Sequence, residues 1–343
     1  MSEITANPKS MKKIILRGIR TELLKHGGAT KVELSRKLDI SFPTISKFIN
    51  QMEKSGEVVS LGLDHSGGGR RAVRYDYNAD YKLGLAVFLE RTETGYIVFN
   101  CRGEVKERRD VAGVLMEDVT SLTAQIESLI TKYPKISSLT IGVPAAVSNG
   151  RIIHIPDYEQ FQDLDLKGYC EQRFSVPVVV ENDMNAAVLG YYMHSRHKDA
   201  SSLVYLYFGQ NGPGAGIMVN GRLVRGSTFF SGEISFVPQY DNRNFRQAMQ
   251  LAREEALRGK ADFDPVSRLI ASITSILNPH RIVFCNDEVN SAMLAQIATG
   301  STAYIPAEHL PEMAVSNWKE DYLNGLQGLG LELMLAGADQ NDE

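Results

Sequence analysis

Three cysteines in 343 residues, Cys101, Cys170 and Cys285, are too few and too far apart for a disulfide framework or a CxxC-type zinc site. No run of 18 apolar residues occurs, which excludes a membrane-spanning helix. The opening MSEITANPKSMKK lacks the apolar segment of a secretory signal, so the expected location is the cytoplasm. A large net charge is missing too, since 37 Lys and Arg stand against 41 Asp and Glu. That near-balance hides two unequal parts. Residues 1–80 hold 14 basic and 9 acidic side chains, net +5, which leaves 23 against 32, net −9, for the rest. What is present is an ordinary globular composition, 43% hydrophobic, in a chain long enough to build cores without staples. A basic head on an acidic body is the feature to explain.

In the head, residues 11–26 read as an amphipathic helix with Ile14, Ile15, Ile19, Leu23 and Leu24 on its apolar face. Gly27-Gly28 ends it, and Thr30 caps a short second helix, Lys31 to Leu38. After the tight Asp39-Ile40-Ser41 connection a third helix runs from about Phe42 to Ser55, with Pro43 near its start. Ile45, Phe48, Ile49 and Met52 form its inner side, and Thr44, Ser46, Lys47, Asn50, Gln51 and Lys54 its outer side. Two short helices joined by a tight turn describe a helix-turn-helix, whose second helix enters the DNA major groove. Small hydroxyls, Lys and Asn suit phosphates and base edges. Strands near 57–60 and 72–77, around the tip HSGGGRR, read as a wing. The candidate DNA contacts are Ser41, Thr44, Ser46, Lys47, Asn50, Arg70 and Arg71, within a winged helix-turn-helix domain spanning 1–78.

From Tyr81 onward strands and helices alternate, which indicates an α/β layered fold. Leu83–Leu89 and Tyr96–Phe99 read as strands around a turn at Thr94-Gly95, Val119–Lys132 as a helix and Ser138–Val143 as a strand. Val178–Val180 precedes Glu181-Asn182-Asp183 and a helix from about Asn185 to Ser195. Leu203–Phe208 and Ala215–Val219 flank the glycine-rich QNGPGAG, and a helix over 265–277 leads into the strand Arg281–Cys285. The recurring order suggests two similar lobes.

VVVENDMNAA (178–187), GPGAGIMVNGRLVRG (212–226), SGEISF (231–236) and LNPHRIVF (277–284) together resemble the ROK family of repressors, open reading frames and sugar kinases. The head resembles that of its transcriptional-regulator branch. The resemblance implies an actin-like (ribonuclease H-like) two-lobed sugar-kinase-type domain over 79–343. Its lobes would span about 79–196 and 197–320, with the C-terminal helix packing back on the first lobe. It implies a sugar site in the cleft, with Asp183 at the position of the kinases' general base and Asn182 and Glu233 at sugar-binding positions. A carboxylate at the end of a buried strand agrees with where open α/β sheets place ligands. The plainer readings are a helix cap for Asp183 and a loop carboxylate for Glu233.

The pattern also fails in places. Where the kinases carry a glycine phosphate loop this chain has Ala86-Val87-Phe88-Leu89-Glu90. Side chains there block the approach of backbone amides to a phosphate. A charged Glu90 at about 4 Å from a phosphate would cost roughly 4 kcal/mol at a dielectric near 20. Ala86 removes a hard oxygen ligand for Mg²⁺. Phe236 replaces the family's zinc-binding His, and Asn286-Asp287 a late glycine pair, while Gly212, Gly214 and Gly216 read as a tight turn. The expectation is a sugar-responsive transcriptional regulator, a repressor, without kinase activity, cofactor or metal. Its partners would be operator DNA, a sugar or sugar-phosphate effector and a second copy in a homodimer or higher oligomer. The alternative is an ATP-dependent sugar kinase, for a hexose or N-acetylhexosamine, with an appended DNA-binding domain.

Overall fold

The computed structural model describes residues 8–63, 71–155, 157–195, 201–209, 211–257 and 262–336. At the N-terminus stand the helices α1 (Pro8–His26), α2 (Lys31–Leu38) and α3 (Phe42–Lys54). With them is a sheet of β1 (Ala29–Thr30), β2 (Val58–Leu63) and β3 (Val73–Tyr77), in the order β1-β3-β2. A capping box starts α2. The Thr30 hydroxyl accepts from the Glu33 amide, and the Glu33 carboxylate from the Thr30 amide. Asp39, in the left-handed region at φ 53°, makes the turn into α3, where Pro43 occupies the first turn. Ile45, Phe48, Ile49 and Met52 are buried as their spacing requires. On α1 the stripe is Leu16, Ile19 and Leu23. Ile14, expected inside, is 65% exposed, because Leu16 (5%) is the residue three before Ile19 that the packing face uses.

The body contains two five-stranded sheets of the same plan. In the first, β4 (Leu83–Leu89), β5 (Glu93–Asn100) and β6 (Val105–Ala112) form an antiparallel meander. Helix α4 (Val119–Lys132) leads to β7 (Ile136–Val143), parallel to β4. The hairpin β8 (Ala146–Ser148) and β9 (Arg151–His154) and helix α5 (Leu166–Phe174) precede β10 (Val178–Asn182), parallel to β7. Helix α6 (Asp183–His194) follows directly. In the second sheet β11 (Leu203–Tyr207), β12 (Gly214–Val219) and β13 (Arg222–Leu223) form the meander. After α7 (Phe245–Leu257) and α8 (Asp264–Leu277), β14 (Arg281–Cys285) lies parallel to β11. Helix α9 (Ser291–Ser301) then leads to β15 (Glu312–Ser316), parallel to β14. The order is β10-β7-β4-β5-β6 in one sheet and β13-β12-β11-β14-β15 in the other. The final helix α10 (Trp318–Ala336) lies along α6 and against β4 and β7.

One turn differs from the sequence reading. Thr94 and Gly95 lie inside β5, and the chain reverses at Arg91-Thr92. Gly95 pairs with Phe88 across the sheet, and a Cβ there would run into the Phe88 ring. Its glycine makes room for a large neighbour rather than for a turn.

Two close approaches decide how the body is joined. A Cβ on Gly190 of α6 would collide with the Asp321 carbonyl oxygen of α10, and one on Gly325 with that of Ala186. These two helices therefore pack backbone against backbone. At the far end of α10, Arg20 of α1 donates to the Leu335 carbonyl (3.4 Å) and, through Nε, to Glu57 (2.6 Å). Tyr77 adds its hydroxyl to Glu57 at 3.2 Å. This buried cluster ties the N-terminal unit to the helix that covers the first sheet. Among the described residues no helix is long and apolar enough to cross a membrane.

Candidate functional site

The parallel strands β7 and β10 end side by side, Asn182 opposite Val143. Just beyond them opens a cavity of about 170 Å³, room for about a dozen water-sized groups, the scale of one sugar ring. Pro144, Ala145, His154, Asn182 and Asp183 line it from the first lobe. Tyr207, Asn211, Glu233, Ser235, Phe236 and Arg246 line it from the second. Asn182 and Asp183 from the first lobe and Glu233, fifty residues on, from the second are thus brought to one cavity.

Asn182 closes β10 and caps α6, its Oδ1 accepting from the Asn185 amide at 2.9 Å. Its amide nitrogen donates to the Ala145 carbonyl (3.1 Å) and to Asp183 Oδ1 (2.9 Å). Asn182, not Asp183, is the cap, so the plainer reading of Asp183 does not hold. Asn182 also orients Asp183, a role the sequence did not reveal. Burial pushes the Asp183 carboxyl up to about 7. The bond from the Met184 amide works against that rise, and the Glu233 carboxylate adds to it. Near neutrality Asp183 can therefore both accept from and donate to a hydroxyl. Glu233 is raised by burial too, with His154 opposing the rise. Sequence reasoning missed Tyr207 and Arg246, which carry no motif and reach the cavity only through folding, and Asn211, whose place in the glycine-rich QNGPGAG was the one signal that could have found it.

At the other end of the cleft the chain fills its own space. Ala86, Phe88 and Leu89 are fully buried. The Phe88 ring meets Tyr322 edge-on at 6.0 Å, and Lys319 Nζ lies 5.0 Å from its centre. Glu90, expected to carry a negative charge here, does not. Only 4% exposed, its carboxyl is pushed up to about 9 by burial, with the Asp183 and Glu93 carboxylates adding to the shift, so it is neutral near pH 7. Asn211 reaches across from the second lobe, donating to Glu90 Oε2 (3.0 Å) and accepting from the Tyr158 hydroxyl (2.8 Å). Side chains, rather than free backbone amides, fill this end of the cleft. Gly216 of the glycine-rich segment packs β12 against α6, since a Cβ would strike the Met184 carbonyl. Among the described residues no cluster of three or more His, Cys, Asp or Glu could hold a metal.

On the N-terminal unit Ser41, Lys47 and Asn50 are exposed along α3, with Thr44 and Ser46 half-buried between them. Ser41 and Thr44 share a hydrogen bond of 2.9 Å. Lys31, which the sequence reading passed over, reaches from α2 to Asn50 Oδ1 (2.6 Å) and to Ser46 (3.5 Å). Arg71 is exposed two residues before β3, whereas Arg70 and the tip of the wing lie outside the described residues.

Residues 85–245 match the model of the ROK family, and residues 14–58 that of a winged helix-turn-helix DNA-binding unit. The xylose repressor of Bacillus spizizenii is 27% identical over 242 residues, 67% of this chain and 61% of that protein. The xylose repressor of Caldicellulosiruptor bescii is 30% identical over 215 residues, 60% of this chain and 53% of that one. The matched segments thus span little more than half the length of these relatives. The crystal structure of a ROK family transcriptional regulator, a homologue of the E. coli Mlc protein, covers 95% of this chain and 97% of its own, with a TM-score of 0.73 at 17% identity. That likeness shows a shared fold: an α/β, two-lobed sugar-kinase-type body with a winged helix in front. The chain carries a ROK family domain behind an N-terminal winged helix-turn-helix.

Proposed function

We propose that the chain is a cytoplasmic, sugar-responsive transcriptional repressor. Residues 1–78 would bind operator DNA and residues 79–343 a sugar effector. The observation that carries this reading is the asymmetry of the cleft. One end keeps a polar cavity with Asn182, Asp183 and Glu233, and the other is packed with Phe88 and Leu89 where a nucleotide would need backbone amides. A base without a phosphoryl donor has nothing to transfer. The xylose repressors among its relatives make xylose the first sugar to test.

Ser41, Thr44, Ser46, Lys47 and Asn50 would face the major groove, and Arg70 and Arg71 the adjoining phosphates or minor groove. Paired half-sites call for a two-fold partner, so the working form is a homodimer. A route for the signal runs from Asp183 at the start of α6, through the close α6–α10 packing, to Arg20 on α1. A sugar can shift DNA binding only as far as it prefers one arrangement of that route over the other.

The test pairs a gel shift on the chain's own promoter region with thermal shifts against a panel of sugars, sugar phosphates and ATP–Mg²⁺. The expected result is salt-sensitive DNA binding, weakened by Lys47→Ala and altered by a sugar that stabilises the protein, with no stabilisation by ATP–Mg²⁺. Sugar phosphorylation at the expense of ATP would instead establish the kinase.

A further inference from the structure

The cavity accounts for one sugar ring, yet its mouth is built for more. Phe236 lines the cavity and is nevertheless 52% exposed. Phe230, 44% exposed, stands beside it with ring centres 5.3 Å apart, inclined at 45°. His154 flanks Phe236 on the other side, at 6.5 Å. Phe236 at the cavity wall and Phe230 just outside it thus offer two exposed, mutually inclined rings as a shelf at the mouth of the polar pocket.

The backbone is bent to make that shelf. Phe229 sits at φ 59°, the left-handed region that bulky side chains avoid. Such a conformation persists only when its surroundings fix it. Phe229 lies half-buried over Arg225 and Glu181, a pair that joins the two lobes, and Phe230 is exposed beside Phe236.

We propose that the site takes a glycoside: one sugar ring in the cavity and a second ring, attached through its glycosidic oxygen, lying across Phe236 and Phe230. The C–H face of a pyranose, like an aryl group, is apolar enough to cover an aromatic face, and aromatic faces favour weakly positive hydrogens. An exposed aromatic pair at the rim of a polar pocket marks a place where something binds. The occupant committed to here is part of the same ligand that is proposed for the pocket. This inference rests on the reading of that pocket as a sugar site and adds the class of sugar derivative.

The test is calorimetry on the full chain with matched sets: xylose, xylobiose and 4-nitrophenyl β-xyloside, and glucose, cellobiose and 4-nitrophenyl β-glucoside. In at least one set the glycosides should bind roughly tenfold tighter than the free sugar, the amount expected for covering about half a phenyl ring. A gain with both the disaccharide and the aryl glycoside identifies the shelf as reading any flat apolar face. A gain with the disaccharide alone identifies a true second sugar subsite. Phe230→Ala should lower glycoside affinity about threefold and leave the free sugar where it was. Phe236→Ala should abolish the glycoside's advantage. Equal affinity for free sugar and glycoside in the unaltered protein overturns the proposal while leaving sugar binding intact. Absence of binding in every set overturns the sugar reading and this proposal with it. An altered particle mass in Phe230→Ala, with the glycoside preference unchanged, would assign the shelf to a subunit contact and overturn the proposal.

Discussion

The two ends of the cleft hold the same kind of group under opposite conditions. Asp183 and Glu90 are both buried carboxyls whose pKa is raised by burial, and each accepts a hydrogen bond from an asparagine side-chain amide. Asp183 faces a cavity. Glu90 faces protein, with Phe88 and Leu89 filling the strand before it and Asn211 covering it from the other lobe. One carboxyl opens onto free space, while the other has become part of the contact between lobes. A binding end and a structural end can thus be told apart by what lies in front of the acid, not by the acid itself.

The comparison breaks most visibly in alkali. Glu90 is raised from an ordinary 4.5 to about 9 in the folded protein. The folded state therefore holds its proton more tightly than the unfolded chain does. That contribution is complete below about pH 4.5 and is lost as pH rises toward 9, at up to about 1.4 kcal/mol per pH unit. Glu90→Gln keeps a neutral partner for Asn211 and cannot ionise. Its melting temperature should fall less than the unaltered protein's between pH 6 and 9, with the gap widening upward. Parallel curves would mean that Glu90 is not held neutral.

A smaller but more specific effect is expected at the other end. Asp183→Ala should weaken the stabilising sugar by about 10- to 100-fold, the range for losing hydrogen bonds to a charge-bearing group, and should not lower the melting temperature of the ligand-free protein. Thermal shift with and without sugar reads both quantities. An unchanged ligand shift would remove Asp183 from the site. Glu90→Gln, measured alongside, should leave sugar affinity within about threefold, since Glu90 does not line the cavity.

Where a feature is local, the sequence is legible. Thr30 and Glu33 stand three apart, and their capping box is written in consecutive residues; Pro43 and the Ile45, Phe48, Ile49 and Met52 stripe mark α3 as plainly. The alternation of strands and helices carries the two lobes for the same reason. On α1 the period itself favours Leu16, three before Ile19 and seven before Leu23, over Ile14, five before Ile19, and the packing follows the period. Legibility stops where the cause is distant. Gly95 looks like a turn because its Phe88 partner is on another strand. Glu90 looks charged because neither its burial nor Asn211, 121 residues on, can be seen in the residues around it. Likewise Arg20, paired with Glu57 inside the head, reaches the Leu335 carbonyl of the body 315 residues on, a contact that no spacing rule suggests.

Asn211 belongs to both ends, since it lines the cavity and also bonds Glu90, and this sets up the finest test of the comparison. Tyr158 is buried, does not line the cavity, and holds Asn211 Oδ1 at 2.8 Å. Tyr158→Phe removes one hydroxyl and leaves the ring in place. The lost bond should cost about 1 kcal/mol of stability, the usual net value for one hydrogen bond. If Asn211 couples the ends, freeing its carbonyl also loosens its orientation at the cavity wall, and sugar affinity should drop two- to threefold. Denaturant melts and calorimetry separate the two effects. A loss of stability with affinity untouched would make the two ends energetically independent. The bridge from Tyr158 through Asn211 to Glu90 would then hold the lobes together without sensing what lies between them.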